Sequence, residues 1–412
     1  MDMTKPASEA GAALRYGLIG LIFFATALNY VDRQVLALLK PTLVQEFNWT
    51  DQDFAHLGSA FQLSAAFALL GVGWFVDRFG VRVAYGLAVA VWSAAGMAHA
   101  FAASVQQFLA ARVVLAVAES CNTPAAMKAA ATYLPMRERA LGIGIINTAP
   151  NIGAILTPLL IPPLALAFGW KAAFLVTGAL GFVWLALWLG ATRRLPARHT
   201  TAKRSPGASV REILKDRRAW SVIGAKALTD LVWWFVLFWM PDFFHREFGM
   251  DQGQLGYPIA IIFLFAAVGA VSSGGLFVFL EARGLGLNKA RKYSMLFYAL
   301  AILPMPLALS SGNPWLAAVL IGLGLFAHQG FSTGIFGMAT DTVPTRQLAT
   351  VIAFGGIAGN LTGTGMIEFA GWSLHAGLGY TPMFAVCSGA YLAALAFIHV
   401  LQPRMTLADP EG

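Results

Sequence analysis

The sequence predicts an all-α membrane protein of twelve transmembrane helices, organised as two pseudo-symmetric six-helix bundles. Three observations lead there. Apolar residues fill 58% of the 412 positions and charged residues 12%, against roughly half and a quarter in soluble domains, so the excess must be solvated by lipid. A hydrocarbon core of about 30 Å needs roughly 20 apolar residues per helix, and runs of that kind recur near 14–39, 52–76, 82–101, 105–133, 139–163, 170–190, 219–241, 253–280, 293–311, 314–340, 347–370 and 380–401. Positive charge, finally, lies almost entirely on one side of those runs, as the loops of an inserted membrane protein require.

The runs are long, continuous and supplied with 42 glycines. That suits closely packed helices and excludes barrel strands, which are shorter and alternate strictly. The first run is too long for the core of a signal peptide and carries Asp32 and Arg33, so it is expected to remain in the mature protein. Cys121 and Cys387 both fall inside spans, so they read as passive packing residues with no disulfide framework.

With a cytoplasmic N-terminus, 21 of the 28 Lys and Arg residues face the cytoplasm, only Lys40, Lys171 and Arg246 face outward, and Arg33, Arg112, Lys128 and Lys226 lie within spans. Both termini are therefore expected on the cytoplasmic side of the inner membrane. The basic stretch at 191–218 divides the spans six and six, which gives an N-terminal bundle at 1–190, a cytoplasmic linker at 191–218 and a C-terminal bundle at 219–412. The net charge of +8 reflects this topology rather than a nucleic-acid partner.

An offset of 209 residues places Pro135 over Pro344, Arg137 over Arg346, Ile143 over Ile352 and Asn151 over Asn360, and it brings Glu119 over His328. An offset of 200 pairs Pro41 with Pro241 at the outer ends of spans 1 and 7. Such a repeat is the mark of related bundles whose equivalent helices face a shared site.

Charges inside the spans narrow the chemistry, because a charge at the bilayer centre costs roughly 2.5–3.5 kcal/mol or more and needs a partner or an aqueous cavity. Arg112 and Glu119 are seven residues apart, so they share one face of span 4, and Asp32 and Arg33 reach a comparable depth in span 1. Two arginines and two carboxylates then make a balanced cluster. An arginine offers a planar fork of donors that matches a substrate carboxylate, and the carboxylates beside it can take up protons. This is the pattern of proton-coupled transport of an organic anion. The plainer reading is that Asp32 pairs with Arg33 and Arg112 with Glu119 simply to fix helix packing.

Elsewhere the plain readings weigh more. Lys128 lies nearly opposite Glu119 on the wheel and close to the cytoplasmic end, so snorkelling fits it. Lys226 and Asp230 form an i,i+4 pair that suits a structural or gating role better than substrate contact. His328 is as readily a neutral hydrogen-bonded residue as a proton relay. Asn151, Gln329, Ser332 and Asn360 suit sugar hydroxyls or interhelical hydrogen bonds. Trp233, Trp234 and Trp239 crowd span 7, where one flat ring could face a sugar, and Glu368 has no evident role. The sequence holds no phosphate-binding loop and no metal-ligand spacing among its seven histidines, so no enzyme, cofactor or metal is expected.

The segment "GVGWFVDRFGVR" resembles the signature of the major facilitator superfamily, with Gly73, Asp77, Arg78, Gly80 and Arg82 in its places as a gating motif. "LNYVDRQVL", "ARVVLAVAESCNTPAAMKAAATYLPMRERA", "DLVWWFVLFWMPDFF" and "AHQGFSTGIFGMATDTVP" resemble the anion:cation symporters, most closely the proton-coupled hexuronate transporters. The resemblance implies a symporter that imports a sugar acid, driven by the proton gradient with no cofactor, by alternating access of the two bundles and as a monomer. By similarity Arg33 would bind the substrate carboxylate, Asp32 and Glu119 would carry protons, and Arg112 would answer their charge. Tyr30, Asn151, Gln329, Ser332 and Asn360 match cavity-lining positions by the same similarity, and Trp234 joins them as a substrate candidate through its flat ring alone. Two departures stand out: Ala65 where many relatives have tyrosine, and Glu281 in place of the usual aspartate of the second-half loop. The first leaves other carboxylates open, such as galactonate, tartrate or an aromatic acid; an exporter or antiporter of the same fold is the remaining alternative.

Overall fold

The structure, a computed structural model, describes residues 12–193 and 210–407. The helices in chain order are α1 (Ala12–Leu38), α2 (Lys40–Phe47), α3 (Asp51–Ala98), α4 (Val105–Glu119), α5 (Asn122–Tyr133), α6 (Met136–Ile146), α7 (Ala149–Phe168), α8 (Trp170–Thr192), α9 (Val210–Lys215), α10 (Arg217–Phe248), α11 (Gly256–Ala282), α12 (Leu287–Ala301), α13 (Pro314–Thr342), α14 (Thr345–His375) and α15 (Thr381–Leu401). Residues 194–209 of the expected linker lie outside the described residues; its described parts are the end of α8, α9 and the start of α10.

Ten helical stretches among the described residues are long and apolar enough to cross a membrane. One of them, Asp51–Phe101, is far longer than one crossing needs and contains spans 2 and 3. Gly80 marks their boundary, at φ 74° and ψ 151°, a conformation that an L side chain resists. The signature glycine is thus required by the backbone. The remaining span, 105–133, is interrupted after Glu119, where Ser120 and Cys121 form a turn before α5 begins. Counting both, the twelve expected crossings are present.

Helix ends follow local chemistry. Ser104 caps α4 by accepting from the amide of Gln107. Asn313 accepts from the amides of Trp315 and Leu316, and Pro314 opens α13 at a position where no amide is needed.

The chain divides into two compact units, Met1–Asn48 with Phe67–Ala202, and Trp49–Ala66 with Lys203–Gly412. In the first, α1 packs against α7, α8 and α5. In the second, α10 packs against α14, α15 and α13, and α11 against α13. Both cysteines are buried and free.

Candidate functional site

In the first unit the four span charges come together. Arg33 Nε donates to Glu119 Oε2 at 3.1 Å, across α1 and α4. Asp32 and Arg112 are both buried and lie within electrostatic reach of this pair and of each other. The arrangement joins the arginine of one helix to the carboxylate of the other, an Arg33–Glu119 pair that the plainer sequence reading does not contain. Arg33 keeps 15% of its side-chain surface accessible while Glu119 has none, so the guanidinium is the member a ligand can reach. Tyr30 lies beneath it, with the Arg33 Cζ 5.2 Å from the ring centroid. Asp32 Oδ2 and Glu119 Oε1 are buried and make no hydrogen bond among the described residues. An uncompensated buried carboxylate oxygen is costly, and a proton placed there gives it a donor.

The break that ends α4 builds a polar shelf behind the cluster. Asn122, first residue of α5, accepts from the Tyr85 hydroxyl at 2.7 Å and donates to Thr26 Oγ1 at 3.3 Å. Asn29 Nδ2 donates to the Glu119 carbonyl at 3.4 Å, close to where the helical bonding is interrupted. Asn151 stands half-buried near the start of α7.

The second unit holds the other four substrate candidates. Lys226 Nζ pairs with Asp230 Oδ1 at 2.7 Å and faces Ser332 Oγ at 3.4 Å. Trp234 is buried, with its ring where a Cβ on Gly363 of α14 would sit. Gln329 on α13 and Asn360 on α14 are half-buried. His328 is hydrogen-bonded to the Tyr391 hydroxyl at 2.7 Å and stacks on Trp233 at 5.5 Å, so it is a buried, partnered ring. Trp239 is fully buried against Phe54.

The signature segment also has its geometry. Asp77 accepts from Lys128 Nζ at 2.6 Å, and the same ammonium donates to the Val76 carbonyl at 3.2 Å. Lys128 is therefore an ion-pair partner of the motif, a correction to the snorkelling expected of it: the α3 motif lies close enough for direct contact, which a helical wheel of span 4 alone does not reveal. Gly73 and Arg78 are exposed, and the Arg82 carbonyl accepts from the Trp188 indole at 3.1 Å. The second unit has a counterpart of reversed polarity, Arg291 Nε to Asp341 Oδ2 at 2.8 Å, with the guanidinium 3.6 Å from the centre of the Phe277 ring. Glu281 is exposed.

The model of the Major Facilitator Superfamily matches residues 22–367. The chain belongs to the Major Facilitator Superfamily. Membership makes the protein a multi-pass membrane transporter and not an enzyme. Among curated proteins it is 28% identical to the hexuronate transporter of Escherichia coli K12, with 95% of each chain covered, and 26% identical to a D-galactonate transporter of Escherichia coli, with 99% of each covered. A galacturonate transporter of Dickeya chrysanthemi is 27% identical over 63% of this chain and 81% of its own. Among solved structures, a bacterial homologue of the human lysosomal transporter Spinster superposes with a TM-score of 0.76 at 19% identity, covering 96% of both chains, and shares the fold.

Several polar residues of this superfamily member were invisible to sequence reading. Thr26, Asn29, Tyr85 and Asn122 look like ordinary helix-packing residues until the break after Glu119 is known. Glu368 gains a setting in the second unit, accepting from Gln52 Nε2 at 2.9 Å, pairing with His56 Nδ1 at 2.9 Å and contacting the Ser59 hydroxyl. Arg246, counted only as an outer charge, binds Asp242 at 2.8 Å and also Asp51. Asp242 in turn accepts from the Tyr380 hydroxyl at 2.5 Å. The signal available beforehand was the density of ionisable residues at 242–246, and its partners were the part that sequence left open.

Proposed function

We propose that this transporter imports a sugar acid, most simply a hexuronate, together with protons, by alternating access. The observation that carries the reading is the charge quartet in which Arg33, the accessible member, is held by buried Glu119 with buried Asp32 and Arg112 alongside. A guanidinium whose counter-ion is a protonatable carboxylate can exchange that counter-ion for a substrate. When a proton neutralises Glu119, its hold on Arg33 weakens and the fork of donors turns to the carboxylate of the incoming anion. The proton thereby promotes anion binding, and the two move together. Asp32 carries a second protonatable position, and Arg112 balances the quartet when both carboxylates are charged.

Tyr30 supports the Arg33 guanidinium. Asn151, Trp234, Gln329, Ser332 and Asn360 supply the donors, acceptors and flat surface suited to a polyhydroxylated chain. Similarity to transporters named for hexuronate, galacturonate and D-galactonate supports the substrate class. The charge asymmetry of the loops supports an inner-membrane orientation with both termini cytoplasmic. Gly73, Asp77, Arg78, Gly80 and Arg82 act in gating the conformational change, the proton gradient supplies the energy without a cofactor, and a single chain suffices.

The test is uptake of radiolabelled glucuronate, galacturonate and galactonate into proteoliposomes with an imposed pH gradient. Accumulation that rises with an inward proton gradient is expected for at least one of them. Uptake indifferent to the gradient removes the coupling; uptake of none removes the substrate class.

A further inference from the structure

The Lys226–Asp230 pair remains outside this account. Two charges in the middle of an apolar helix are costly even when paired, and an apolar pair of similar volume would pack there at lower cost. The neighbouring helices nevertheless make room for them. On α14 a Cβ at Gly355 would lie 3.2 Å from Lys226 Cγ, and one at Gly359 would lie 2.2 Å from Asp230 Oδ2, so both glycines clear space for the pair. On α13, Ser332 turns its hydroxyl toward the ammonium and His328 lies within electrostatic reach of it. The His328–Tyr391 bond continues the polar patch, the Tyr391 hydroxyl reaching the Thr229 carbonyl at 3.4 Å.

Within this patch the pair is the accessible part. The side chains of Lys226 and Asp230 keep 12% and 14% of their surface exposed, whereas His328 and Ser332 are buried. Its hydrogen-bonding capacity is only partly used. An ammonium has three donors, and Lys226 directs one to Asp230 and one, at the long distance of 3.4 Å, to Ser332, with the Phe336 ring 5.2 Å away. A carboxylate has about four acceptor sites, of which the lysine occupies one.

We propose that Lys226 and Asp230 form a hydroxyl-reading subsite in the second unit, at which the carboxylate accepts from hydroxyls of a polyhydroxylated acid and the ammonium donates to a hydroxyl oxygen. The pair supplies donor and acceptor side by side, which is what neighbouring hydroxyls require, and it stays net neutral, so it adds no second demand for substrate charge. Ser332 extends it by one more donor or acceptor. The inference rests on the sugar-acid reading above and specifies which residues discriminate a hydroxylated acid from a plain one.

Equilibrium binding to the full chain in lipid nanodiscs tests it, with D-glucuronate, D-galactonate and hexanoate as probes. All three carry one carboxylate, so recognition of that group cancels in the comparison. Wild type is expected to prefer the better sugar acid over hexanoate by about 10-fold or more, because a site built to bond hydroxyls rejects an analogue that lacks them. Lys226→Met combined with Asp230→Leu removes both charges together, and is expected to abolish that preference while leaving the hexanoate affinity unchanged. An undiminished preference in the double variant overturns the subsite and leaves the sugar-acid reading intact. A wild type with no preference for either sugar acid overturns the sugar-acid reading itself, and the subsite with it. Should the double variant fail to fold, Asp230→Asn decides the matter in the same assay: it keeps the shape and weakens the acceptor, so a reduced preference supports the subsite and an unchanged one overturns it.

Discussion

Two helix pairs occupy equivalent places in the repeat: α1 with α7 in the first unit, and α10 with α14 in the second. Both close through glycine, yet to different ends. Gly153 of α7 meets the main chain of α1, where a Cβ would lie 2.5 Å from the Ala27 carbonyl oxygen. Gly355, Gly359 and Gly363 of α14 meet side chains, those of Lys226, Asp230 and Trp234. In the first pair glycine brings two backbones together, and Arg33 of α1 turns toward Glu119 of α4. In the second, glycine makes room for an ion pair and an indole between the two helices. One packing device thus serves tight contact in one half and polar chemistry in the other.

Substitution can sharpen this contrast. The largest effect is expected on the α1 charge itself. Arg33→Lys keeps the positive charge but loses the planar fork, so sugar-acid uptake in proteoliposomes should fall on the order of 100-fold; near wild-type uptake would show that charge alone suffices. Glu119→Gln removes the exchangeable proton and frees Arg33, so substrate exchange should persist while accumulation no longer responds to the pH gradient. A variant that still accumulates with the gradient would move the coupling role to another group.

Smaller effects should separate the two glycine contacts. Gly153→Ala forces a methyl into main chain that cannot step aside, and should lower stability by about 1–3 kcal/mol, read as a fall in thermal midpoint. Gly359→Ala is expected to cost less, because the nearest atom, Asp230 Oδ2, can swing away and leaves only the Asp230 Cβ, 2.9 Å from the new methyl, to be relieved by a small backbone shift. Its signature should instead be a loss of preference for hydroxylated over plain acids, since the swing separates Asp230 from Lys226. Equal destabilisation by both, with preference intact, would mean that the two interfaces are merely packed.

The smallest effects belong to the two ion pairs of reversed polarity. Lys128→Met breaks a pair whose Asp77 side chain is 60% exposed, and should cost well under about 1 kcal/mol. Arg291→Met removes a pair with side chains only 14% and 21% exposed, together with the ring contact to Phe277, and should shift the thermal midpoint more. The reverse order would contradict the burial argument.

The chain alone determined its crossings, their number and the charge asymmetry of its loops, because hydrophobic length is a local property that the bilayer reads directly. The four charges on spans 1 and 4, and the Lys226–Asp230 spacing, were equally legible, since helical periodicity places residues on a face. It was legible too that Gly80 belongs to the signature motif between spans 2 and 3. Partner choice was not: Arg33 with Glu119, Lys128 with Asp77, Glu368 with Gln52 and His56, Arg246 with Asp242. A wheel gives the direction in which a side chain leaves its helix, and which neighbour stands there depends on packing between segments far apart in sequence. The interruption after Glu119 was hidden for the same reason. Its sequence, Ser120-Cys121-Asn122, is compatible with helix, and only the contacts of Asn122 with Thr26 and Tyr85 and of Asn29 with the Glu119 carbonyl show how the broken backbone is accommodated.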